Sequence, residues 1–196
     1  MQINLDKDYW DCRYQNNQTG WDVGEATLPL KEYINQLTNK NCSILIPGCG
    51  NGYEAEYLLQ NGYTNITLID IAPAAVDALK TKLKKFEDKQ LRIICGDFFK
   101  LNDSFDLIIE QTFFCALQPV LRNDYVNKMF DLLNDKGKLG GVLFNYFFEG
   151  GPPFGGNKTE YQSLFTQKFN IKIMADCYNS IASRAGTELF FIVEKF

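Results

Sequence analysis

The chain is 196 residues long and contains no histidine. That absence excludes mechanisms built on a Ser–His or Cys–His pair or on a histidine-bound metal. A net charge of −4 and a pI of about 4.9 argue against a nucleic-acid face, which needs a basic patch, and 45% apolar residues suit one domain with a full core.

In chain order, residues 1–26 set Trp10, Tyr14 and Trp21 in a polar context. Trp10 and Tyr14 are four apart, so on a helix they share a face. Residues 28–38 carry apolar side chains at helical spacing. A strand is expected over 43–47, a helix over 53–60 ending near Gly62, a strand over 65–70, and a helix from Pro73 to about residue 85. The basic run at 80–89 is broken by Glu87 and Asp88 and reads as a solvated helix face. Strands follow over 91–95 and 105–109, then a helix over 122–133, a turn over 134–137 and a strand over 138–145. After a Gly/Pro loop at 150–156 come a helix over 159–169 and two closing strands, 171–177 and 188–194. Strand–helix alternation from 43 to 145 implies an α/β fold: a single Rossmann-like, seven-stranded, mostly parallel sheet with helices on both faces.

Six cysteines without a CxxC pair, a polar N-terminus and no apolar stretch of membrane-span length fit a cytoplasmic chain with reduced thiols. No metal site and no membrane contact are expected; the sequence leaves the oligomeric state open, with a monomer favoured.

Residues 44–52 read Ile-Leu-Ile-Pro-Gly-Cys-Gly-Asn-Gly, a strand breaking into glycines that let backbone approach a ligand. Asp70, at the end of the next strand, stands at the spacing of a carboxylate that grips a ribose; it could equally cap the Pro73 helix. Gly48 to Gly52, Asp70, Asp97-Phe98 and Glu110-Gln111 all follow strand ends, so a parallel sheet would converge them on one crevice. No Lys follows the glycines as a phosphate loop requires, and Tyr53 stands where a dinucleotide loop wants its third glycine. The pattern suits an adenosine ligand without phosphate, such as S-adenosylmethionine.

Several segments, in order along nearly the whole chain, go further. They are Trp10 to Tyr14 with Thr19-Gly20-Trp21-Asp22-Val23-Gly24, Ile46 to Tyr53, Asp70 and Gly96-Asp97-Phe98-Phe99. Then come Phe105 to Ile108, Thr112-Phe113-Phe114-Cys115-Ala116-Leu117, Pro119 with Arg122, Gly150-Gly151-Pro152-Pro153-Phe154, and Asn179 to Ala182 with Arg184 and Gly186. Together they resemble the thiopurine S-methyltransferase superfamily, and most closely its halide and thiol methyltransferase branch. The Phe-Phe-Cys-Ala and Gly-Pro-Pro segments are far more specific than the glycine loop.

The resemblance implies an S-adenosylmethionine-dependent enzyme with a small-molecule acceptor. Gly48 and Gly50 would lie against the cofactor, Asp70 and the adjacent Ile71 at the ribose, and Asp97 and Phe98 beside the adenine. Glu110 or Gln111 would lie near the methionine end, with Trp10, Tyr14 and Trp21 as a covering lid. Phe113, Arg122, Phe154 and Arg184 are the candidates for the acceptor side, each with a structural alternative: core packing for Phe113, a surface helix for Arg122, a bare connector for the loop that carries Phe154, and loop bracing for Arg184. The branch often carries Tyr where Phe154 stands, so a hydroxyl donor is missing here. A soft nucleophile meeting an activated methyl group needs no general base, which agrees with the missing imidazole. A nicotinamide-dependent oxidoreductase and a non-catalytic cofactor-binding protein are the competing readings; Tyr53 counts against the first.

Overall fold

The computed structural model describes residues 4–196; residues 1–3 of the expected covering segment lie outside the described residues. Uninterrupted apolar runs become the central strands. β1 (Ile44–Pro47) and β2 (Ile66–Asp70) are buried at every position, as strands covered on both faces must be. β3 (Leu91–Cys95) pairs parallel outside β2, while β4 (Phe105–Gln111) pairs parallel on the far side of β1. β5 (Leu133–Phe144) continues parallel to β4. The closing strands β6 (Phe169–Asp176) and β7 (Glu188–Lys195) pair antiparallel, with β7 inserted between β5 and β6. The sheet order is β3-β2-β1-β4-β5-β7-β6, the expected seven-stranded, mostly parallel arrangement.

Helices α2 (Leu28–Gln36), α3 (Tyr53–Gln60) and α4 (Pro73–Leu83) cover one face, where Leu30, Ile34, Leu58 and Leu79 meet Ile44, Ile46 and Leu68. Helices α5 (Arg122–Leu132) and α6 (Lys158–Phe165) cover the other, where Tyr125, Met129 and Phe165 pack with Leu45, Ile108 and Leu139. Successive residues of β1 thus serve opposite cores, which is the period-two geometry of a strand. The N-terminal helix α1 (Lys7–Gln15) buries no residue completely and lies as a cover over the carboxyl end of the sheet.

Two boundaries depart from expectation. The helix expected to reach 169 stops at Phe165, because Phe169 is drawn into the sheet opposite Lys195 and buried in the core. The turn expected over 134–137 lies inside β5 as a bulge: pairing jumps from Phe105–Leu133 to Leu107–Lys138, with Lys136 at φ 61°. Among the described residues no helix is long and apolar enough to cross a membrane. The strand order reverses between β1 and β4, and the strand ends there open into one cavity.

Candidate active site

The glycine loop after β1 holds three left-handed residues, Gly48, Gly50 and Gly52, at φ 56°, 49° and 65°. All three are also sterically committed, Gly52 by the Leu79 side chain 2.5 Å from where its Cβ would lie. A Cβ on Gly48 would lie 2.3 Å from the Phe113 ring, and one on Gly50 would lie 2.7 Å from the Tyr14 hydroxyl. Asp70 fixes the loop from the end of β2. Its carboxylate accepts the Gly50 and Ala72 N–H groups, each at 2.9 Å. Burial raises its pKa, and the backbone donors partly offset that.

A cavity of about 910 Å³ opens beside this loop. Gly48, Asp70, Ile71, Asp97 and Phe98 line one part of it, and Trp10, Tyr14 and Trp21 cover them. Trp21 takes the edges of both other rings, with centroids 5.6 Å from Trp10 and 5.9 Å from Tyr14. Burial, and after it the Asp70 charge, push the Tyr14 pKa far up, so its hydroxyl stays neutral. The cover is held by polar contacts to three places: Asp11 accepts the Ala74 N–H at 2.7 Å at the start of α4, Asp22 accepts from Asn51 and Tyr53, and Arg184 donates to the Trp21 carbonyl at 2.8 Å.

The far part is aromatic and apolar: Phe113, Phe144, Tyr146, Phe148, Pro152 and Pro153, with Leu117 and Leu121. Arg184 lines it with its side chain 11% exposed, 3.6 Å from Glu188, and its Nη1 makes no hydrogen bond. Cys115 also lines the cavity, but its thiol donates to the Thr112 carbonyl, and burial drives its pKa up. It is a packing residue, not a nucleophile.

Four expected site residues stand elsewhere. Glu110 is fully buried behind the wall: one oxygen accepts the Phe113 and Phe114 N–H groups at 2.8 and 2.9 Å, the other the Tyr125 hydroxyl at 2.7 Å. Burial pushes its pKa up to about 7. It shapes the turn that aims Phe113, with Thr112 forced to φ 59°, a costly angle for a β-branched residue. Arg122 is 8% exposed, pairs with Glu160, donates to the Gly155 carbonyl at 2.7 Å and lies over the Phe114 ring. It ties the 150–156 loop to α6 instead of facing an acceptor. Phe154 folds its ring over Gly151, and Pro152 and Pro153 form the cavity wall in its place. Gln111 faces a smaller recess that Gly50 shares, beside the main cavity.

Sequence reasoning missed Arg13, which lines the cavity from α1 and donates to the Tyr9 hydroxyl at 2.7 Å. It also missed Phe144, Tyr146 and Phe148. The aromatic run that ends β5 was the available signal, since the carboxyl ends of β1 to β4 also open onto the cavity.

The family model described as Thiopurine S-methyltransferase matches residues 5–190. The chain belongs to the thiopurine S-methyltransferase family. Among relatives in this family and its thiol-acting branch, a probable thiol methyltransferase 2 of Arabidopsis thaliana is 28% identical over 91% of this chain and 81% of its own length. A thiopurine S-methyltransferase of Acinetobacter baylyi is 24% identical over 98% of this chain and 100% of its own. Among solved structures, the 1,6-didemethyltoxoflavin-N1-methyltransferase of Burkholderia thailandensis superposes with a TM-score of 0.77 at 16% identity, covering 96% of this chain and 86% of that one. At that identity the likeness concerns the fold, and it bears out the Rossmann-like sheet. Family membership also displaces the nicotinamide reading.

Proposed function

We propose that this member of the thiopurine S-methyltransferase family uses S-adenosylmethionine to methylate a small, soft, anionic nucleophile, such as a thiolate, hydrosulfide, thiocyanate, halide or thiopurine sulfur, without a general base. One observation carries the last clause: each carboxylate lining the cavity is already engaged by backbone. Asp6 accepts the Tyr9 N–H, Asp97 the Phe99 N–H, and Asp70 those of Gly50 and Ala72. With no imidazole in the chain and Tyr14 held neutral, the cavity offers no strong proton acceptor.

The residues present fit the cofactor. A carboxylate has about four lone-pair sites, so Asp70 keeps acceptor capacity for a ribose after its two backbone bonds. Ile71 and Phe98 offer apolar surface for a base, and Gly48 keeps the floor bare on the cavity side. When bound, S-adenosylmethionine supplies a methyl group activated by its positively charged sulfur. Trp10, Tyr14 and Trp21 turn ring surface to the same space, where a cation is favoured by roughly 0.5–2 kcal/mol per well-placed ring.

The protein then supplies position and dryness. Aligning the reacting groups is worth on the order of 7–11 kcal/mol when the geometry is near attack. Apolar walls strip water from an anion, which strengthens its attraction to a positive partner. Arg184, ion-paired with Glu188 at the cavity wall, is the acceptor-side cation in this reading, and Phe113 is the wall between the two halves. Incubating the protein with S-adenosylmethionine and a panel of thiols, hydrosulfide, thiocyanate, iodide and thiopurines, with mass spectrometry of products, tests it. Methyl transfer to none of them removes the acceptor assignment.

A further inference from the structure

Among the described residues, Arg13 and Arg184 line the cavity and no lysine does. Arg184 is ion-paired with Glu188. Arg13 pairs with no carboxylate among the described residues. Its Nη2 donates to the Tyr9 hydroxyl at 2.7 Å, and its guanidinium carbon stands 4.9 Å from the centre of the Tyr9 ring. A guanidinium carries five N–H donors, so this neutral phenol holds the fork in place and leaves its charge unmatched. Arg13 is also half-buried, where an ionic contact is screened less than on open surface.

Helix geometry decides which part of the cavity Arg13 serves. α1 gives the cavity Asp6, Tyr9, Trp10, Arg13 and Tyr14, a stripe at three- and four-residue spacing. Asp11 stands on the flank that meets Ala74 at the start of α4. At about 100° per residue, Arg13 lies about 200° round the helix from Asp11, on the flank turned away from α4. Tyr14, between these flanks, stands over Gly50. α4 covers the sheet face that holds α2 and α3. The opposite flank of α1 therefore looks toward the other face, where Leu117 and Leu121 lead into α5 and line the apolar part of the cavity.

We infer that Arg13 binds a carboxylate carried by the methyl acceptor, so that the preferred acceptor is a thiol acid whose carboxylate reaches α1 and whose sulfur lies deeper, beside Phe113. The inference rests on the reading of the protein as a sulfur methyltransferase, and it names the acceptor class within that reading. Leu117 and Leu121 suit the hydrocarbon between the two ends. A carboxylate meets the guanidinium fork in two parallel hydrogen bonds. A dianion such as a phosphate fits less well, because Asp6 and Asp97 line the same cavity and repel the second charge.

Steady-state kinetics with para-mercaptobenzoate and its uncharged amide test it, with rates expressed against thiolate concentration. Wild type is expected to show a KM for the acid at least about tenfold below that for the amide, the scale of a charged hydrogen bond. Arg13→Met is expected to raise KM for the acid by about that factor. Its KM for the amide and its affinity for S-adenosylhomocysteine are expected to stay within about twofold of wild type, a difference too small for a lost ionic contact. Equal KM of wild type for the two thiols overturns the inference whatever the variant does. So does an Arg13→Met loss shared equally by acid and amide, or one that falls on S-adenosylhomocysteine instead. Wild-type protein that methylates neither thiol overturns the acceptor assignment on which the inference rests.

Discussion

The Gly50 N–H donates to the Asp70 carboxylate at 2.9 Å, which ties the turn after β1 to the end of β2. The second oxygen accepts the Ala72 N–H at the start of α4, so one side chain sets two segments at the cavity edge. The carboxylate is nearly buried, yet it lines the cavity. Asp70→Asn turns one of these acceptors into a donor facing a backbone donor. S-adenosylhomocysteine affinity is expected to fall about 10- to 100-fold, the equivalent of one charged hydrogen bond of ~1.5–3 kcal/mol. Calorimetry checks this, with a thermal melt to show that the variant is folded. Undiminished affinity in the folded variant would sink the cofactor assignment.

Glu110 was expected at the ligand and is instead a buried joint, which makes it a stability group with a definite pH signature. Folding raises its pKa from about 4.3 in an unfolded chain to about 7. The folded chain therefore holds the proton more tightly. The stability this contributes is fully present below the unfolded value and is lost as pH rises through 7. Glu54 carries the same sign. Glu110→Gln keeps an acceptor for the Phe113 and Phe114 N–H groups and cannot ionise. Urea unfolding at pH 5 and pH 8 is expected to show a smaller loss of stability in the variant, by up to ~3 kcal/mol at 1.36 kcal/mol per unit. Identical pH dependence in both proteins refutes the assignment.

The strands and the glycine turn at the cavity end of the sheet were legible because their signals are local. A four- or five-residue apolar run ending in glycine or aspartate encodes a buried strand and the turn after it, as at Gly48 and Asp70. What was not legible depends on partners distant in sequence. Nothing near Glu110 announces that Tyr125 and two amides of the next turn will consume its oxygens. Nor does anything near Arg122 announce Glu160 and the Gly155 carbonyl. Both residues follow or open elements at the cavity edge, so position along the chain suggested ligand contact. Side-chain direction decided otherwise. The same limit hid Phe144, Tyr146 and Phe148, whose aromatic character fits core and cavity wall equally well.

The contrast between Arg122 and Arg184 is measurable. Arg122 braces the 150–156 loop, with its Nε already buried and unpartnered, and it packs on Phe114 and Tyr161. Arg122→Ala is expected to cost about 2–4 kcal/mol through lost packing and an orphaned carbonyl, read by denaturant unfolding. Arg184→Met is expected instead to raise KM for an anionic acceptor about tenfold or more, since it removes the guanidinium at the cavity wall. Uncharged thioethers, tested as competing ligands, should bind equally well to both proteins. A reversal, with Arg122→Ala stable but impaired for acceptor, contradicts the bracing role.

If no residue removes a proton from the acceptor, the rate must follow the acceptor's own ionisation. A cavity base would impose a fixed pKa on kcat/KM whatever the substrate. With no imidazole in the chain, Asp6, Asp70 and Asp97 held by backbone N–H groups and Tyr14 held neutral, each thiol should instead give a profile rising through its own solution pKa. Two aryl thiols and an alkyl thiol, with pKa values spread over several units, are enough to decide. Their inflections should shift with the substrate and coincide when rates are replotted against thiolate concentration. Thiocyanate, already an anion, should show no inflection over the range in which the protein stays folded. A common inflection shared by every acceptor would show that the protein supplies the base after all.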